Sequence, residues 1–106
     1  QNIGNAYLKE EMTQEAIYAY QDAIDLEPEN SALHYNLAVA LAKMQEHEQA
    51  VTEYLKVLQL NPSYADAYNA IAISYYQLGE YEFAKIYAQK AKAMGVDVQK
   101  ILLNAK

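Results

Sequence analysis

The sequence predicts an all-α fold, an α-solenoid of stacked antiparallel helix pairs, and three observations predict it. Residues recur at an interval of 34: Ala16, Ala50 and Ala84; Pro28 and Pro62; Tyr7, Leu41 and Tyr75; Tyr20 and Tyr54; Gly4, Ala38 and Ala72. Within each interval the apolar residues form two runs at helical spacing. Polar or helix-stopping residues separate the runs. A period of this length with helical patterning inside it describes a quasi-one-dimensional stack, not a globule around one closed core.

The clearest interval spans residues 31–64. Leu33, Leu37, Ala38, Leu41 and Met44 follow helical spacing over about four turns. Gln45-Glu46-His47 breaks the pattern, and Ala50, Val51, Tyr54, Leu55, Val57, Leu58 and Leu60 form the second run. Asn61-Pro62-Ser63 ends it, because proline disfavours helical geometry in the residue before it and has no N–H to donate. Residues 65–94 repeat the plan, with Gly79 as the stop between the two helices. Residues 1–27 do so as well, with a first helix that starts abruptly at Gln1. The reading gives seven helices, at roughly 1–10, 14–27, 31–44, 48–60, 65–78, 82–94 and 98–105. The small residues have a packing role in this plan: Gly4, Ala38 and Ala72 lie mid-way along each first helix, and Ala16, Ala50 and Ala84 near the start of each second one. They let helices approach closely while Tyr and Leu fill the gaps.

After residue 95 the period fails. Asp97 is placed to N-cap a short helix carrying Val98, Ile101, Leu102 and Ala105 on one face, which would cover the open side of the last repeat. The domain plan is therefore an array over residues 1–96, with repeats at about 1–30, 31–64 and 65–96, and a capping helix over 97–106.

Composition excludes several function classes. The net charge is −6, every strong cation is Lys, and residues 1–30, 31–64 and 65–106 carry −6, −1 and +1. A chain of this charge is poorly suited to nucleic-acid backbone or an anionic membrane surface. No apolar run approaches the roughly 20 residues of a membrane span. Without Cys there are no disulfides and no thiolate chemistry. His34 and His47 are 13 residues apart with no ligand-like spacing, so no metal site is expected. Glu46 and Glu48 around His47 read as a hydrated turn, and Glu10-Glu11 and Asp25/Glu27 as solvated helix ends. The three glycines are isolated, so no phosphate-cradling loop is present. The expectation is a chain without enzymatic activity and without a cofactor.

The pattern resembles the tetratricopeptide repeat (TPR) family over about residues 1–95. The stretches Asn2-Ile3-Gly4-Asn5-Ala6-Tyr7, Tyr35-Asn36-Leu37-Ala38 and Leu78-Gly79-Glu80-Tyr81-Glu82-Phe83-Ala84 look like the family's helix motifs. Ala23-Ile24-Asp25-Leu26-Glu27-Pro28 and Val57-Leu58-Gln59-Leu60-Asn61-Pro62 look like its closing motif. The resemblance implies a right-handed superhelix of three such units plus the cap. Three departures stand out. The first repeat lacks its opening four residues, which implies a cut edge or an array continuing upstream. The large aromatic expected early in the first helix is His34 in one repeat and Tyr68 in the next. Met94-Gly95-Val96 replaces the expected closing proline.

The resemblance also implies a protein–protein interaction scaffold whose first helices line a concave groove. Projected onto that face are Asn5, Leu8 and Lys9 from the first repeat, Tyr35, Asn36, Val39, Ala42 and Lys43 from the second, and Asp66, Asn69, Ile73, Tyr76 and Gln77 from the third. On a helical wheel none of these is needed for core packing. Chaperone-binding members of the family hold a terminal carboxylate with two asparagines and several cations. Asn5 and Asn36 match the asparagine places, whereas the cation places read Gln1, Asp66 and Ala70. The expected partner is therefore an uncharged, partly apolar protein segment, extended or helical, in preference to a terminal carboxylate. The alternative is head-to-tail stacking on further repeats or on another copy.

Overall fold

Helix ends fall where the chain can satisfy its last carbonyls. The computed structural model describes the backbone of residues 2–99 and of Leu102, and the side chains of residues 12–99 and of Leu102. Among the described residues there are five helices: α1 (Asn2–Leu26), α2 (Ser31–Lys43), α3 (His47–Leu60), α4 (Ala65–Gln77) and α5 (Tyr81–Ala93). The last four lie within one residue of the predicted bounds at each end.

One turn design closes α2, α4 and α5. Gln45, Gly79 and Gly95 have φ of 65°, 81° and 92°. The following N–H then reaches back five residues: Glu46 donates to the Leu41 carbonyl at 2.9 Å, Glu80 to that of Tyr75 at 2.9 Å, and Val96 to that of Ala91 at 3.0 Å. This is the Schellman closure, in which a left-handed residue just past the helix lets the backbone cap itself. The proline loops lead into the next helix, with a side-chain N-cap on α2 and a bonded loop but no side-chain cap before α4. Asn30 Oδ1 accepts from the Ala32 N–H at 3.1 Å, and Asn61 Oδ1 accepts from the Ser63 N–H at 3.3 Å and its hydroxyl at 2.9 Å.

The first repeat departs from the prediction. Residues 2–26 form one continuous helix, not helices at 1–10 and 14–27 with a turn between. The position equivalent to Gln45 and Gly79 is Glu11, inside the run Lys9-Glu10-Glu11-Met12, which contains only good helix formers and no Gly or Pro. Bending there requires a left-handed residue, which costs a non-glycine about 1–2 kcal/mol. Gln45 accepts that cost because its turn lets α2 pack on α3 while also lying between α1 and α4.

The remaining helices stack in order, α1 on α2, α2 on α3, α3 on α4 and α4 on α5, and α2 also touches α4. Ala38, Ala50, Ala72 and Ala84 are completely buried, as the close approach of helices at those positions requires. Ala16 is only half-buried, because no first helix folds back over it. A second cluster joins Ala72, Ala88 and Leu102, with Val98 packed against it. Residues 97–99 are not helical, so the expected capping helix does not begin at 98; the rest of it, residues 100, 101 and 103–106, lies outside the described residues.

Candidate groove site

The first helices of the second and third repeats, α2 and α4, enclose a cavity of about 270 Å³ between them. Tyr35 and Ala42 from α2 line one side, and Asp66, Asn69, Ala70, Ile73 and Ser74 from α4 the other. Asp66, Asn69 and Ile73 converge because residues three, four and seven apart share a helix face. His47 and Tyr54 of α3 close the cavity from behind. A neighbouring recess of about 290 Å³ lies between α1 (Met12, Thr13, Ala16, Tyr20) and α2 (Asn36, Val39, Ala40, Lys43).

The expected groove residues are therefore divided. Tyr35, Asp66, Asn69 and Ile73 meet in the first cavity, and Asn36, Val39 and Lys43 in the second. Tyr76 and Gln77 line neither. The side chains of Asn5, Leu8 and Lys9 lie outside the described ones.

The wheel's separation of groove from core needs correction. Tyr35 and Val39 pack against the main core, and Tyr76 packs against the second cluster, with its ring 5.0 Å from that of Tyr81. Tyr35 itself stands between two rings, 5.5 Å from Tyr54 and 4.9 Å from Tyr64. His47 also needs correction. It opens α3 half-buried against the cavity and does not sit in a hydrated turn; the period predicts a helix start there but not its tilt toward the groove.

The polar groups of the cavity are unevenly matched. Asn69 Oδ1 and His47 Nδ1 are buried and have no hydrogen-bond partner, a condition that costs about 1–3 kcal/mol for each such group. The other nitrogen of His47 lies 3.1 Å from Gln45 Oε1. Burial raises the Tyr35 hydroxyl above its ordinary range, and the Asp66 carboxylate and then Tyr64 push the same way. Tyr54 is raised strongly by burial, with Tyr35 adding to it. Both phenols stay protonated and neutral.

His34 belongs to the scaffold. Its Nε2 lies 2.8 Å from the Pro28 carbonyl and its Nδ1 2.8 Å from Glu53 Oε1. Among the described residues no group of His, Asp or Glu is arranged to hold a metal ion, and no helix is long and apolar enough to cross a membrane.

The profile of the TPR repeat family matches residues 4–45 and 40–79. The chain belongs to the TPR repeat family. A TPR repeat-containing thioredoxin, TTL4 of Arabidopsis thaliana, is 42% identical over 82 residues, which cover 77% of this chain and 12% of that protein. The STIP1 homolog of Dictyostelium discoideum is 30% identical over 88 residues, covering 83% and 16%. Among solved structures, the first TPR of Spaghetti (RPAP3) bound to the HSP90 peptide SRMEEVD superposes with a TM-score of 0.78 at 27% identity, covering 90% of this chain and 75% of that one. This TPR array spans only about an eighth to a sixth of the length of those two relatives. As a TPR array it is a protein–protein interaction scaffold.

Proposed function

We propose that the array binds a segment of a partner protein, an extended peptide or a helix, along the inner face formed by α2 and α4. The observation that carries this reading is the cavity between those helices, where residues that differ from repeat to repeat converge. Tyr35 and Asn69 are equivalent under the period, as are Ala38 and Ala72. The alanines are the same because the scaffold needs them, whereas the groove pair differs. Ile73 is 38% exposed at the cavity and offers apolar contact, and Asn69 carries an acceptor that a peptide N–H can satisfy. The RPAP3 structure holds an acidic peptide. Asp66 here sets a negative charge at a place where the family's carboxylate binders have a cation, so a terminal carboxylate is disfavoured and a partly apolar segment suits the surface.

Peptides selected from a displayed random library against the intact array supply the test. Joint substitution Asn69→Ala and Ile73→Ser should weaken their binding tens-fold or more, about 2 kcal/mol or above, with the thermal midpoint nearly unchanged because neither residue is in the core. Affinity unchanged in the double variant counts against the groove. Tyr35 is left intact because it packs in the core.

A further inference from the structure

We propose that the cavity between α2 and α4 receives one cationic side chain, a Lys ammonium or an Arg guanidinium, presented by the bound partner segment. The inference rests on the groove reading, adds the chemistry of its central contact, and replaces the uncharged segment expected from the sequence with a partly apolar one that carries a cation.

The cavity gathers acceptors and lacks a charged donor. Asp66 is exposed at its mouth, and among the described residues it forms no ion pair; the ion pairs there join Glu53 to His34 and to Lys56. Among the described residues, the buried side-chain polar atoms without partners, Asn69 Oδ1 and His47 Nδ1, both belong to residues lining this one cavity. Asn69 Oδ1 only accepts. His47 Nε2 lies 3.1 Å from Gln45 Oε1, an oxygen that only accepts, which makes Nε2 the donor and leaves Nδ1, on the cavity side, as the ring nitrogen without a partner. Tyr35 and Tyr54 add aromatic wall that packs against an aliphatic stem, and Asp66 with the two acceptors takes the charged head. A carboxylate, two unmet acceptors and tyrosine rings around about 270 Å³ match a donor-rich cation on an aliphatic stem. A neutral side chain would leave Asp66 unpaired, and an acidic one would be repelled.

The probes are side-chain mimics: n-butylguanidinium, n-butylammonium, n-butanol and butyrate, each titrated into the isotopically labelled chain and followed by two-dimensional NMR. The cations should shift the backbone amides of Asp66 and Asn69 and the side-chain amide of Asn69, at concentrations about tenfold below those needed for butanol. Butyrate should be weakest. Asp66→Asn should remove the preference for the cations and spare the butanol response. Equal response to butanol and the cations, or a preference that survives in Asp66→Asn, overturns the cation site and leaves the groove standing. So does silence from all four probes while selected peptides still depend on Asn69 and Ile73. If that dependence is itself absent, the groove fails and the cation site with it.

Discussion

A histidine and a tyrosine, 34 residues apart, do the same work at two joints of the array. His34 Nε2 donates to the Pro28 carbonyl at 2.8 Å, and the Tyr68 hydroxyl donates to the Pro62 carbonyl at 3.3 Å. The early aromatic of the first helix is thus a donor on a flat ring that reaches six residues back to a carbonyl of the proline loop, and His34 meets that requirement as Tyr68 does. Gln45 shows the reverse case, a residue ill-suited to its place. Its φ of 65° is the left-handed conformation that Gly79 adopts freely at the next repeat. Gln45→Gly should stabilise the protein by about 0.5–1 kcal/mol, the relief of the left-handed penalty less the added freedom of the unfolded chain. Urea unfolding of the two proteins reads this directly, and a lower midpoint for the glycine variant would sink it. Tyr54 gives a pH prediction. Burial holds its folded pKa above the unfolded value of about 10, so the unfolded chain loses the proton first. Its stabilising contribution is complete below about pH 10 and is lost as pH rises beyond that. Tyr35 and Tyr75 are shifted in the same direction. Tyr54→Phe should therefore flatten the decline of urea midpoints between about pH 9 and 11; an unaltered decline would contradict it.

At the level of elements, the complete burial of Ala50 is what lets α3 lie close to α2. Ala50→Leu should overpack that joint and cost about 1–3 kcal/mol, visible as a lower thermal midpoint; an unchanged melt would mean the helices can part there without penalty. The limits of α2 to α5 were legible because each ends in Pro, in Gly or in a residue that copies a glycine's place. The first repeat was not, since the period alone placed a turn between helices at 1–10 and 14–27, at Glu11-Met12-Thr13, where nothing in the local chemistry favours one. The groove was half legible. Helical spacing put Asp66, Asn69 and Ile73 on one face, and the three line one cavity. It says nothing about depth, so Tyr35, Val39 and Tyr76 were read as surface although neighbouring helices cover them. His47 escaped notice because it reaches the cavity from the start of a second helix, a contact that depends on the angle between α2 and α3.

Across the whole molecule, charge runs from strongly acidic residues 1–30 to a slightly basic end, and α1 leaves Tyr18 and Leu26 exposed at 59% and 84%. Copies arranged head to tail would place unlike charges together. If such stacking operates, light scattering should show oligomers that grow with protein concentration and shrink as salt rises, since exposed charges are screened beyond about 8–10 Å at ordinary ionic strength. A single mass across both series rules it out and leaves the groove as the array's working surface.

The paired bonds at Pro28 and Pro62 also bear on how such a gene can lengthen. Each bond closes within seven consecutive residues, and each Schellman turn within six, so no partner lies farther away than its own joint. A tandem duplication of one 34-residue period would copy every capping bond and every buried alanine at once, with no compensating mutation. The same event would duplicate Tyr35, Asn36 and Lys43, adding inner surface of known chemistry. Scaffold and recognition surface would be inherited as one piece, and later divergence would be free to act on the second without disturbing the first.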